Sequence, residues 1–129
     1  MKGLSLALAA GLFCAGAAYA HDGHEMGGDA AAQKDAVVSG EIVDLACYMG
    51  HEAAGGKHGK CAKMCIKGGS PMGLKAESGD VWLLVNDHQA EKAYAAAKDL
   101  AGEKAKITGH TTTKGGLNAL IVEKAEKAS

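Results

Sequence analysis

Hydrophobic and polar positions alternate along two stretches of the chain, residues 37–45 and residues 104–110. This period of two predicts half-buried β-strands. Residues 81–85 form a short continuous apolar run, which is typical of a fully buried strand. Two more strands, at residues 73–77 and 117–122, are each bounded by a glycine-containing turn. The pattern therefore predicts five strands.

A helical period of three and four residues marks residues 90–101, with Asp87 as a predicted N-cap and Gly102 as a predicted C-cap residue. Residues 60–67 favour a second, shorter helix of about two turns. The glycine-rich residues 48–60 before it predict a loop. One helix thus falls between the third and fourth strands, and a cysteine-bearing loop and short helix fall between the first and second.

This order of elements predicts a mostly-β fold, a small five-stranded barrel of the OB type with a helix between strands 3 and 4. A different small barrel and an open α+β sheet are the alternatives. The predicted domain covers residues 37–124. A His/Gly/Ala-rich tail at residues 21–36 precedes it, and a frayed, charged end at residues 125–129 follows it.

Residues 1–20 have the features of a signal peptide. Lys2 is followed by an uncharged apolar run that ends on Ala18-Tyr19-Ala20, the small-x-small pattern of a cleavage site. The run is shorter than the roughly 20 residues of a membrane span. We therefore expect cleavage after Ala20, export to the periplasm, and no membrane attachment after cleavage.

The composition argues against nucleic acid as a partner. The net charge is −1, and the chain has no arginine, the residue most used for bidentate phosphate and base contacts. After signal cleavage the remaining aromatic residues are Tyr48, Trp82 and Tyr94, too few for a base-stacking surface.

Three cysteines remain after the expected loss of Cys14 with the signal peptide: Cys47, Cys61 and Cys65. An odd number in an exported protein leaves at least one thiol outside any internal disulfide. That thiol is free, bound to a metal, or paired with another molecule.

Soft and borderline metal donors are concentrated in the same segment. Cys61 and Cys65 share one face of the short helix, and Cys47 follows the first strand. With His51 or His58 as a fourth ligand they predict a Cys₃His site for zinc or copper. Thioethers favour Cu(I), and the weaker candidate ligands are Met49, Met72 and the expected new N-terminal residue, His21.

Two other interpretations of the cysteines stay open. A disulfide between Cys47 and Cys61 or Cys65 would fasten the glycine-rich loop to the barrel. Alternatively, the lysines around the helical cysteines would favour thiolate and thiol–disulfide chemistry, although the chain lacks a Cys-x-x-Cys pair.

A family resemblance covers residues 40–122. The chain is similar to small bacterial periplasmic proteins with an OB-like barrel, a family without a settled biochemical function. The resemblance implies the fold and the compartment, and it brings no catalytic residues. The matching residues are Gly40-Glu41-Ile42-Val43-Asp44, Cys47-Tyr48, His58, Cys61-Ala62, Cys65, Gly69, Pro71-Met72-Gly73, Gly102, Thr108-Gly109 and Gly115.

The expectation from the sequence is therefore a periplasmic protein that binds copper or zinc as a carrier, buffer or sensor and is not an enzyme. The expected partners of the chain are the metal ion and a periplasmic protein. The alternatives are a thiol–disulfide redox component and a non-catalytic interaction module whose cysteines only fasten a loop.

Overall fold

The computed structural model describes residues 33–129, which form a closed five-stranded barrel with three helices. Each strand predicted from the sequence is present, and so are both predicted helices. The elements in chain order are β1 (Lys34–Asp44), α1 (Leu45–His51), α2 (Gly59–Lys67), β2 (Met72–Ala76), β3 (Val81–Asn86), α3 (Glu91–Asp99), β4 (Lys104–Lys114) and β5 (Leu117–Lys127).

The strands are ordered β1-β2-β3-β5-β4 around the barrel, and β4 closes onto β1. The β3–β5 pair is parallel, and the other pairs are antiparallel. β1 is long enough to pair with β4 through residues 34–41 and with β2 through residues 40–44. Gly40 lies where the two pairings overlap, and a Cβ there would collide with the backbone of Lys75. This arrangement is the predicted OB-type barrel, with α3 between β3 and β4.

Aliphatic side chains fill the barrel. α3 packs on this core through Ala97 and Ala101, whose small side chains let the helix approach the strands closely. Trp82 and Tyr94 are partly buried against the same cluster. The fully or nearly buried members are Ile42, Ala62, Ile66, Met72, Leu74, Leu84, Ala97, Ala101, Ala105, Ile107, Leu120 and Val122.

The two ends of the domain differ from the prediction. β5 continues to Lys127 instead of fraying after residue 124, because β4 pairs with it along its whole length, from Lys114↔Leu117 to Ala105↔Lys127. β1 begins at Lys34, inside the segment predicted to be a flexible tail, because its first residues pair with β4 up to Thr111. Long-range pairing thus orders polar residues that have no strand pattern of their own.

Two local predictions are also corrected. Residues 48–51, predicted to lie in a loop, belong to the helix α1, which also includes Leu45 from the end of the predicted first strand. α3 begins after Ala90, which makes no side-chain cap, while Asp87 accepts a hydrogen bond from the Gln89 amide at 2.9 Å and so closes the turn before the helix. Gly102 lies two residues past the C-cap Leu100, with a φ of +78°.

In residues 33–129, no helix combines the length and the apolar character that crossing a bilayer requires. The predicted signal peptide, its cleavage site after Ala20, Cys14 and His21 lie outside the described residues.

Candidate metal centre

Asp44, at the end of β1, organises the site. It is 2 % exposed, and its carboxylate accepts hydrogen bonds from the amide of Ala46 at 2.9 Å and from the hydroxyl of Ser70 at 2.7 Å. The first bond caps the N-terminus of α1, where Asp is a preferred residue. The second joins the start of α1 to the segment after α2. One buried side chain therefore fixes both helices of the β1–β2 connection.

α2 carries two of the three cysteines. Its inner side buries Ala62 and Ile66 in the barrel core, which leaves Cys61 and Cys65, one turn apart, on an adjacent face. The helix begins at Gly59, which packs directly on Gly102, so that a Cβ on Gly102 would overlap the Gly59 backbone. The position of both thiols is thus tied to the barrel at the helix start and through its buried face.

The three cysteines meet at one place. Cys47 comes from α1, and its sulfur lies with those of Cys61 and Cys65 in a group whose ligand atoms are all within 4.8 Å of one another. In a tetrahedral zinc site with Zn–S bonds of about 2.3 Å, two sulfurs are about 3.8 Å apart. A contraction of roughly 1 Å therefore brings the three thiols to metal-binding distance. We call this group the trithiol.

All three thiols are free, and none is at disulfide distance from another cysteine of residues 33–129. Cys61 is exposed, while Cys47 and Cys65 are half-buried. The structure therefore contains no disulfide between Cys47 and Cys61 or Cys65.

The environment keeps two of these thiols protonated. A hydrogen bond to the Asp44 carboxylate, with burial and the carboxylate's charge, raises the pKa of Cys47. A hydrogen bond to Cys61, with burial and nearby negative charge, raises the pKa of Cys65 to about 11. Burial alone would raise the pKa of Asp44, but the hydrogen bonds from Ser70, Cys47 and the Ala46 amide outweigh it and lower that pKa. The site therefore places a buried carboxylate next to two thiols, Cys47 and Cys65, whose surroundings favour the protonated form.

A cavity of about 260 Å³ opens beside the trithiol. Cys47, Cys61 and Asp44 line it, and so do both histidines that the sequence singled out, His51 and His58. In residues 33–129, the mutually close group of ligand atoms holds the three sulfurs and no histidine nitrogen. The histidines therefore border the site without belonging to its compact ligand set.

The methionine candidates are placed elsewhere. Met72 is fully buried in the barrel core, and Met49 is 75 % exposed on α1. Neither lines the cavity. The two other carboxylates of the segment have backbone roles: Glu41 accepts a 2.5 Å hydrogen bond from the Gly55 amide in the loop, and Glu52 ends α1 in the left-handed conformation with φ 54°.

Sequence reasoning missed Asp44 as a part of the site. The signal was present, because an Asp directly before Leu45-Ala46-Cys47-Tyr48 is an N-cap signature. The glycines that follow favoured a loop, so this signature was not assigned to a helix.

No family model, no curated protein and no solved structure matches this chain. The assignment of function therefore depends on the site itself.

Proposed function

We propose that the protein binds one transition metal ion, copper or zinc, through Cys47, Cys61 and Cys65 and serves as a periplasmic carrier, buffer or sensor. The observation that carries the proposal is the convergence of three free thiols from two helices within 4.8 Å. Thiolates are the donors that select Cu(I) and Zn²⁺ over harder ions. Three thiolates suffice for trigonal Cu(I), and tetrahedral zinc needs one more ligand.

Export of the protein would favour metal binding by the trithiol over disulfide formation. In an oxidising compartment a disulfide between any two of the three cysteines would leave the third unpaired. A metal ion occupies all three sulfurs at once. The signal-peptide pattern of residues 1–20 supports export.

The thiol–disulfide alternative receives less support. A redox-active cysteine has a lowered pKa, so that it is a thiolate at neutral pH. The pKa values of Cys47 and Cys65 are raised instead. Raised pKa values do not suit attacking nucleophiles, whereas a metal ion can displace the two protons at a cost in affinity.

The test is metal titration of the mature protein, purified under reductant and without metal, against a chromophoric chelator for Zn²⁺ and for Cu(I). We expect one ion per chain. Replacing any one of the cysteines by serine should weaken binding by at least about a hundredfold, because a direct ligand contributes more than the outer-shell groups that alter affinity 10–100-fold.

Met64→Ser is the matched control. Met64 lies on α2 between the two helical cysteines, carries a sulfur, and is 74 % exposed. Its loss should leave affinity and stoichiometry unchanged. Full affinity in Cys61→Ser and Cys65→Ser, or equal losses in the control, would contradict the proposal.

A further inference from the structure

We propose that a tetrahedral ion held by the trithiol takes its fourth ligand from outside the chain, and that this ligand is a thiolate that enters the 260 Å³ cavity. The inference rests on the proposed function, and it adds the chemical class of the molecule that the site receives. The thiolate comes either from a small thiol or from a cysteine of another protein, and both present the same sulfur donor.

The first observation is that the compact ligand set is incomplete for a tetrahedral ion. In residues 33–129 it holds three sulfurs within 4.8 Å of one another and no nitrogen or carboxylate oxygen, and the nearby Asp44 carboxylate already accepts hydrogen bonds from Ala46 and Ser70. Three protein ligands and a vacant fourth position are the pattern of zinc sites that bind a further molecule, whereas closed structural sites have four protein ligands.

The second observation is the position of the cavity. Cys47 and Cys61 both line it, so an ion among the three sulfurs borders this space. Its volume is below the roughly 300–1,000 Å³ of sites for drug-sized ligands, which limits the occupant to a small thiol or a single inserted side chain.

The third observation is the chemistry of the walls. Two of the seven lining residues, Ala53 and Ala62, are apolar and offer a water in the cavity no side-chain hydrogen bonds. A large polarisable sulfur suits such a wall and a metal that already has soft ligands. His51 and His58, which also line the cavity, can donate hydrogen bonds to a carboxylate or amide carried by the incoming thiol.

The step is a ligand substitution without electron transfer. The incoming thiol would give its proton to solvent, and its sulfur would donate an electron pair to the metal in place of any water at the fourth position. Because no thiol of the chain is displaced, the same position allows a metal to pass between the trithiol and a donor or acceptor through a shared thiolate.

The experiment uses the mature protein loaded with Co²⁺, whose absorption reports the number and type of its ligands. L-cysteine, L-serine as its hydroxyl analogue, and a blocked Gly-Cys-Gly peptide that represents a protein-borne cysteine are added in turn. We expect the sulfur-to-cobalt charge-transfer intensity to rise by about one third with a thiol, as three Co–S bonds become four, and not to change with L-serine. Native mass spectrometry should show protein, metal and one thiol together.

Two pairs of variants locate the effect. Ala53→Leu narrows the cavity and should abolish the thiol response, while Ala54→Leu, at the neighbouring position that is not part of the lining, should keep it. His51→Gln and His58→Gln should leave the spectrum without added thiol unchanged. If Ala53→Leu does not fold, the comparison of L-cysteine with L-serine on the unaltered protein still tests whether a thiolate binds the metal.

Each outcome has a defined meaning. A response to L-cysteine alone identifies small thiols as the source, and a response to the peptide identifies protein-borne cysteines; either supports the inference. A three-thiolate cobalt spectrum that neither thiol alters, or that a histidine variant changes, overturns it and leaves the proposed function intact. Absence of any sulfur-to-cobalt band overturns the proposed function, and the inference with it.

Discussion

Replacing Asp44 by alanine tests whether one buried carboxylate fixes the two helices that carry the trithiol. The change removes the N-cap of α1, which costs about 0.5–2 kcal/mol. It also leaves the half-buried Ser70 hydroxyl without its 2.7 Å acceptor, which costs about 1–3 kcal/mol. We expect the free energy of unfolding of the metal-free protein to fall by about 3 kcal/mol.

Asp87→Ala is the matched control. Asp87 also accepts a hydrogen bond from the amide two residues along the chain, at the same 2.9 Å, but that bond is exposed and joins no second segment. Its loss should cost about 0.5–1 kcal/mol. A difference of about 2 kcal/mol between the two variants corresponds to roughly 8–16 °C in Tm for a domain of this size. Urea and thermal unfolding, with reductant and chelator present, measure it.

Asp44→Asn separates hydrogen bonding from charge. Both the Ala46 amide and the Ser70 hydroxyl bond to the same oxygen, Oδ1, and an asparagine keeps that acceptor. We expect it to retain most of the stability at neutral pH. Because the hydrogen bonds to Asp44 lower its pKa in the folded protein, its contribution is present above about pH 4 and is lost as the pH falls further. Asp44→Asn should lack this acid-dependent loss.

The same variant should also lower the pKa of Cys47, since the carboxylate that favours the protonated thiol is gone. Faster alkylation of Cys47 at neutral pH would report this. Equal stability losses in Asp44→Ala and Asp87→Ala, within about 0.5 kcal/mol, would refute the idea that Asp44 joins the two helices.

Further predictions concern proton competition and a close backbone contact. Because the pKa values of Cys47 and Cys65 are raised, metal binding at neutral pH must release at least two protons. The metal affinity should therefore fall about a hundredfold for each unit of pH decrease. Competition titrations from pH 6 to 8 in which the affinity does not change with pH would contradict this. Metal-free protein should lose stability as the pH rises from about 8.5 towards 11, because the pKa of Cys65 is raised to about 11 on folding, and Cys65→Ser should flatten that loss in alkaline unfolding curves. Gly79 has a φ of +98° and open space around it, so Gly79→Ala should lower the free energy of unfolding by about 1–2 kcal/mol. Gly102→Ala should lower it by about 2 kcal/mol more and weaken metal binding, because the new Cβ displaces Gly59 at the start of α2. Equal effects of the two variants in urea unfolding and metal titration would show that this contact does not position the thiols.

The sequence predicted the barrel because its strands carry short-range signals. Residues 81–85 are continuously apolar, and the alternation before Asp44 and after Lys104 places aliphatic side chains inward. The order of elements then limits the topology, with the helix at residues 91–99 in the position that an OB-type barrel requires. The extension of β5 to Lys127 lay beyond this reasoning, because only pairing with β4 orders its charged residues.

The candidate site was predicted as a set of residue types and not as a geometry. Spacing on one helix brought Cys61 and Cys65 together, and the position of Cys47 after a strand suggested the third thiol. The set of donors that converge depends on α1, which carries Cys47. The sequence did not predict this helix, because the glycines that follow it favour a loop. Sequence spacing therefore could not separate the three sulfurs, which converge, from His51 and His58, which line the cavity beside them.

The trithiol has a feature that argues for a metal that is exchanged and not permanently enclosed. A purely structural metal site would be expected where the fold depends on it, yet most of the barrel core comes from the strands and α3, and its buried aliphatic residues pack together without the thiols. Only Ala62 and Ile66 of α2 join that core, and Cys61 remains exposed. Loading the metal should therefore stabilise the protein only through the binding equilibrium, in proportion to the logarithm of free metal over Kd, and the metal-free barrel should unfold as one cooperative unit. A barrel that folds in this way and presents one exposed thiol would be suited to the proposed uptake and release of an ion.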